Sequence, residues 1–198
     1  WTKNATVKEF CWGQRIARMA AELLGVKGVR MYHDQALYKE PGGGITPWHA
    51  DQYYWPLATS QCCTVWIPLQ ATPMELGPLA FAAESQRYKV GRELEISDES
   101  EKKLAQMLRE RNFKLVEEPF DLGEVSFHYG WTFHRAGANT SSRPREVMTI
   151  IYMDQDMRLA EPKNKNQVND WNGWCPGAKV GEIINSPINP VLYSRDPL

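Results

Sequence analysis

The chain has 198 residues, 42% of them hydrophobic and 24% charged, with 23 Lys and Arg against 24 Asp and Glu. That length and balance fit one globular domain, 1–198, able to bury a sizeable core. A formal charge of −1 without a Lys/Arg block argues against a nucleic-acid or anionic-membrane surface, and no apolar run approaches the ~18 residues of a membrane span.

Val7 to Leu24 reads as a helix, with Phe10, Cys11, Gln14, Ala17, Ala20, Ala21 and Leu24 at steps of three and four. Gly25 follows as a left-handed cap residue would, and the helix is expected on the outside of the domain. Arg30 to Tyr38 reads as a strand with Met31, His33, Gln35 and Leu37 on one face. Pro41-Gly42-Gly43-Gly44 is a loop. It lacks the Gly-Lys-Ser/Thr and helix start of a phosphate cradle. The aromatic-rich stretch from Thr46 to Tyr54 also suits a strand. It contains His49-Ala50-Asp51. On a strand, residues two apart share a face, so the imidazole and carboxylate would project together. Chance alone yields roughly 0.5 His-x-acid matches at an ordinary acidic frequency, so the pair needs support from a third ligand.

Gln61 to Gln70 is a clear strand, apolar on both faces and therefore covered on both sides. Cys63, Val65, Ile67 and Leu69 share one face; Cys62, Thr64 and Trp66 share the other. Met74 to Pro78 is a turn and Leu79 to Ala82 a short strand. Asp98 to Arg111 reads as a helix opened by an Asp98/Glu101 capping box. It interrupts the strand series, as an insertion across a sheet edge or a lid would. Short strands follow near Lys114–Glu118, Val125–His128, Thr132–Ala136 and Glu146–Met153. Closely spaced strands with turns between them predict a sandwich or jelly roll. Beyond Asp154 the chain is polar and rich in Pro and Gly, an irregular tail anchored by Trp171 and Trp174.

Cys11, Cys62, Cys63 and Cys175 show no disulfide or zinc spacing. Buried free thiols in a reducing, cytoplasmic setting are the expectation. Trp1 stands where a Met would start a chain, so upstream sequence, with any targeting signal, is expected.

His134 is the best third ligand. It lies in Trp131-Thr132-Phe133-His134-Arg135-Ala136-Gly137-Ala138-Asn139-Thr140-Ser141-Ser142-Arg143-Pro144-Arg145. Two His and one carboxylate form the facial set that favours non-haem Fe(II). The His-x-Asp pair, the Thr-Val-Trp-Ile-Pro-Leu strand with its Gly77-Pro78-Leu79 turn, and this late segment occur in order. Together they resemble the phytanoyl-CoA dioxygenase family of Fe(II)/2-oxoglutarate oxygenases from about Tyr32 to Met153.

The resemblance implies a mainly β fold with flanking helices, a cupin-like double-stranded β-helix of eight core strands. It implies His49, Asp51 and His134 as iron ligands, and Arg145 as the grip on the distal carboxylate of 2-oxoglutarate. A guanidinium suits that task as a charged fork. Arg145 shares strand parity with Val147, Thr149 and Ile151, whereas Arg143, the alternative, sits in the turn before Pro144. Trp66 matches an aromatic lining the co-substrate pocket, and Gln35 aligns with a further co-substrate contact. His33 and His128 stay open between lining the site and packing. Ala50 and Ala136 replace polar co-substrate contacts of some relatives. O2 would complete the cofactor set, with ascorbate as reductant and succinate and CO2 released. Retention of Asp51 argues against halogenation and for hydroxylation, desaturation or ring formation.

The alternatives are a zinc hydrolase or a non-catalytic cupin-like binding protein on the same metal shell. No basic cluster suggests a coenzyme A site. A small-molecule substrate and a monomer are expected, with a dimer as the alternative.

Overall fold

The computed structural model describes residues 1–196. Strands β1 (Gly28–Lys39), β3 (Cys62–Pro68), β6 (Ser126–Tyr129), β8 (Arg145–Asp154) and β9 (Val191–Ser194) form an antiparallel sheet in the order β6-β3-β8-β1-β9. Strands β2 (Thr46–His49), β4 (Leu79–Ala82), β5 (Leu115–Glu117) and β7 (His134–Ala136) form a second, in the order β2-β7-β4-β5. The interleaved orders 6-3-8-1 and 2-7-4-5 make the eight-stranded jelly roll; β9 extends its larger sheet.

Each sheet buries its outer face under a helix. The first expected helix is two, α1 (Ala5–Cys11) and α2 (Gln14–Leu24), because Gly13 leaves the helical region at ψ 108°. α2 ends on Gly25 at φ 69°. Its Ala17, Ala20, Ala21 and Leu24 pack with Met31, Cys63, Val65, Ile150 and Tyr152 of the larger sheet. On the smaller sheet, α3 (Asp98–Glu110) lays Leu104 and Leu108 against Trp48, Ala80, Ala82 and Phe133. It is therefore no lid over the interior.

The cap of α3 also differs from expectation. Ser97 is the N-cap and exchanges hydrogen bonds with Ser100, a pair that caps the orphan N–H groups with two hydroxyls. Glu101 is thereby released for another task. Its carboxylate accepts from the Trp48 amide and from Arg135 Nη1, both at 2.8 Å. That satisfies a backbone N–H of β2, an edge strand of its sheet.

A bulge at Tyr32 changes the parity of β1. Met31 pairs with Tyr152 but His33 pairs with Ile151. Met31 joins the outer cluster under α2, while Tyr32 and His33 turn inward. The tail is more ordered than its composition suggests. It contributes α4 (Lys165–Trp174) and β9, and Trp171 and Trp174 do anchor it, beside Trp55, Met157 and Cys175. All four cysteines are buried and free.

Candidate metal centre and active-site cavity

A cavity of about 620 Å³ opens between the two sheets. The larger sheet builds its floor in rows. His33, Ile151, Thr64 and His128 stand side by side on β1, β8, β3 and β6, and Gln35, Thr149, Trp66 and Ser126 form the next row. Lys39 and Arg145 face each other at the end of the β1–β8 ladder.

His49 and His134 are cross-strand partners on β2 and β7, with ring centroids 4.3 Å apart. Asp51 lies off the strand. β2 ends at His49, Ala50 stays extended, and Asp51 begins a 3₁₀ turn through Tyr53. Because the backbone is still extended at Ala50, the two side chains share a face as expected. Donor atoms of His49, Asp51 and His134 all lie within 4.8 Å of one another. Both imidazole Nε2 atoms are 3.5 Å from Asp51 Oδ1.

Hydrogen bonds fix this presentation. His49 Nδ1 donates to the Pro47 carbonyl at 2.7 Å, and His134 Nδ1 donates to the Thr132 carbonyl at 2.9 Å. Each ring is thus held as the tautomer whose Nε2 lone pair faces Asp51. Asp51 Oδ2 is held from behind by Thr64 Oγ1 at 3.0 Å and His128 Nε2 at 3.3 Å. A carboxylate only accepts, so His128 Nε2 carries the proton. Burial alone would raise the Asp51 carboxyl, but His134, His128 and His49 hold it well below the usual range. Burial drives His134 down to about 3. The neutral imidazole and ionised carboxylate are the forms that ligate a metal.

The donor set fits a divalent iron ion: two imidazoles and one carboxylate on one side, open cavity on the other. The Arg145 end fits a dianionic ketoacid. Arg145 is 5% exposed. Its Nη1 donates to the Gly77 carbonyl at 2.6 Å, its guanidinium carbon lies 5.4 Å from the Trp66 ring centre, and its buried Nε has no partner. Lys39 Nζ donates to the Gly44 and Gly137 carbonyls, and burial and Arg145 push it down to about 8. Two adjacent buried cations with spare donors call for an anion. Arg143, by contrast, is exposed.

Two sequence features explain how this end is built. Gly77 sits at φ +67°, and a Cβ there would come within 2.3 Å of the Gly137 carbonyl oxygen. Asn139 Nδ2 donates to the Lys39 and Arg143 carbonyls, while its Oδ1 accepts from Ser141. The Asn-x-Ser pattern thus ties the Arg145 strand to the end of β1.

The other end depends on α4, a helix in the stretch expected to be an irregular tail. α4 brings Asp170 and Trp174, four residues apart, onto one helix face and into the cavity wall. Trp174 stacks on His33 at 4.5 Å, and Tyr32 Oη donates to Asp170 Oδ2 at 3.0 Å. α4 is tethered by Asn164 and Gln167, whose side-chain amides donate to the Tyr53 carbonyl in the turn that begins at Asp51.

A jelly roll with this donor set and a buried arginine beyond it defines the Fe(II)/2-oxoglutarate oxygenase class. The phytanoyl-CoA dioxygenase (PhyH) family profile matches residues 2–147, and the chain belongs to that family. It is 26% identical over 152 residues to a probable alpha-ketoglutarate-dependent hypophosphite dioxygenase of Stutzerimonas stutzeri. The match covers 72% of this chain and 51% of the relative, so the chain spans about half that protein's length. Among solved structures it resembles SnoK, a non-heme alpha ketoglutarate dependent carbocyclase from nogalamycin biosynthesis. The identity is 26% and the TM-score 0.77, over 96% of this chain and 72% of that one. The epimerase SnoN, solved with Fe3+, alpha ketoglutarate and nogalamycin RO, shares the fold at TM-score 0.78 and 23% identity, over 97% of this chain and 75% of that one.

Proposed function

We propose that the protein is an Fe(II)- and 2-oxoglutarate-dependent dioxygenase that hydroxylates a C–H bond of a small organic molecule. One observation carries this reading. A single cavity holds the His49, Asp51 and His134 donors within 4.8 Å of one another and also the buried Arg145–Lys39 pair. Bound iron, 2-oxoglutarate and O2 supply oxidation of the C–H bond, with release of succinate and CO2.

The chain's part is to hold and aim. His49 and His134 offer Nε2, and Asp51 offers Oδ1 while Thr64 and His128 occupy its other oxygen. Arg145, flanked by Lys39, grips the distal carboxylate; Trp66 and Gln35 wall that chamber. Trp55 and Trp174 line the opposite end. Asp51 keeps its place in the donor set, which favours hydroxylation over halogenation. A zinc hydrolase or an inert binding shell would leave the Arg145–Lys39 pair without an anion.

Hypophosphite, in the name of the curated relative, is an anion and would meet the Asp170 carboxylate, so it is not the substrate we propose. A single domain acting as a monomer, with ascorbate as reductant, completes the reading. Four buried thiols favour a reducing compartment such as the cytoplasm. No described helix is long and apolar enough to cross a membrane.

Anaerobic addition of Fe(II) and then 2-oxoglutarate tests the centre. The expected result is a weak visible charge-transfer band, absent in His49→Ala and Asp51→Ala variants that keep the wild-type far-UV circular dichroism. A wild-type protein that binds zinc but forms no such band would move the assignment to a hydrolase.

A further inference from the structure

The cavity end remote from Arg145 has its own chemistry. His33 stands in the same cross-strand row as Thr64 and His128, the residues that hold Asp51. Arg145 lies six positions along β8 from Ile151 of that row, roughly 20 Å of strand. A molecule beyond the metal row therefore meets His33, Tyr54, Trp55, Asp170 and Trp174, and not the ketoacid grip.

We propose that this chamber is the substrate subsite and that it selects an organic cation, a protonated amine seated between the Asp170 carboxylate and the surrounding aromatic rings. The proposal rests on the dioxygenase reading and adds the substrate class.

Three observations carry it. First, Asp170 lines the cavity without a counter-charge. Its one hydrogen-bond partner among the described residues is the neutral Tyr32 hydroxyl, and no described Lys, Arg or His forms an ion pair with it. Burial pushes its carboxyl up to about 6, and Asp51 adds to the rise. Asp170 is half-buried, and a partly desolvated carboxylate without a counter-charge gains from a cationic ligand.

Second, the rest of the chamber supplies no positive charge. His33 is 5% exposed, and burial drives it down to about 4, so it is neutral. An anion bound here would face the Asp170 carboxylate with no cation beside it. Third, the walls are Tyr54, Trp55 and Trp174. Indole and phenol faces attract ammonium groups and gain strength as water is excluded. A divalent ion in the neighbouring row would be offset by Asp51 and by the ketoacid. It would leave Asp170 as the free charge.

The competing role for Asp170 is structural, as an acceptor that fastens α4 to Tyr32. Two variants separate the roles. Asp170→Asn keeps an acceptor for the Tyr32 hydroxyl but removes the charge; Tyr32→Phe removes the hydrogen bond but keeps the charge. The probes are 2-phenylethylammonium, 2-phenylethanol and phenylacetate, titrated calorimetrically into the anaerobic Fe(II)- and 2-oxoglutarate-loaded protein.

The ammonium should bind at least about tenfold more tightly than the alcohol, about 1.4 kcal/mol, and phenylacetate most weakly. Asp170→Asn should abolish the preference with melting temperature and 2-oxoglutarate affinity unchanged, and Tyr32→Phe should retain it. Equal binding of ammonium and alcohol, tighter binding of phenylacetate, no ammonium binding in the millimolar range, or a preference that survives Asp170→Asn each overturns the proposal. The charge-transfer band in the same cell separates the two levels of failure. With the band present, only the subsite assignment falls; with it absent, the dioxygenase reading falls too.

Discussion

The two ends of the cavity are built by different means. The Arg145 end is made by the jelly roll itself: cross-strand partners on β1 and β8, the Gly77 turn and the Asn139 clamp. All of its residues, and the three proposed metal donors, fall within the span matched by the family profile, which ends at 147. The Asp170 end takes its defining wall from α4, which lies after that span and belongs to neither sheet. The family likeness thus speaks for the cofactor chemistry. The proposed substrate end combines His33, Tyr54 and Trp55 from that span with Asp170 and Trp174 from α4.

That division can be broken or sharpened by substitution. The largest effect is expected where the ends meet. His128→Phe removes a support of Asp51 and should weaken Co(II) affinity about 10–100-fold in chelator competition. His128→Gln, which still donates to the carboxylate, should restore most of it. Wild-type affinity in the Phe variant would leave Thr64 as the sufficient support.

Arg145→Lys comes next. Replacing a charged fork by one ammonium should weaken 2-oxoglutarate binding about tenfold or more, while metal affinity and ammonium-probe binding stay as they are. An unchanged ketoacid affinity would shift the grip to Lys39 and dissolve the contrast. The smallest effect is expected from Gly77→Ala. Its positive φ and the approach of Gly137 should cost about 1–3 kcal/mol of stability. Because the Gly77 carbonyl holds Arg145, a modest loss of 2-oxoglutarate affinity should accompany the lower melting temperature.

The same division governs what the sequence revealed. β3 and β8 were readable because nearly continuous apolar runs between turn residues suit strands covered on both faces. Arg145 was readable from its parity with Val147, Thr149 and Ile151, and it is buried where that parity points. His49 and Asp51 were readable as a pair, although the strand ends between them. Local spacing fixes which way two side chains point but not where a ladder loses its partner. The bulge at Tyr32 is invisible in the sequence for a related reason, since an inserted residue alters parity without altering composition.

α4 was unreadable on propensity. Lys-Asn-Gln-Val-Asn-Asp-Trp-Asn-Gly-Trp holds three Asn, an Asp and a Gly, all poor helix formers. The Asn164 cap and the grip of Gln167 on Tyr53 come from outside that pattern. His128 lacked a role because its partner, Asp51, lies 77 residues away in the chain.

The tether between α4 and the Tyr53 carbonyl has an engineering consequence. Grafting a foreign tail onto this jelly roll to change what it accepts would also disturb the seat of Asp51, the proposed metal donor two residues before Tyr53. Transplants that carry Asn164 and Gln167 together with the 51–53 turn should keep the ion in place; those that swap the helix alone should leak it.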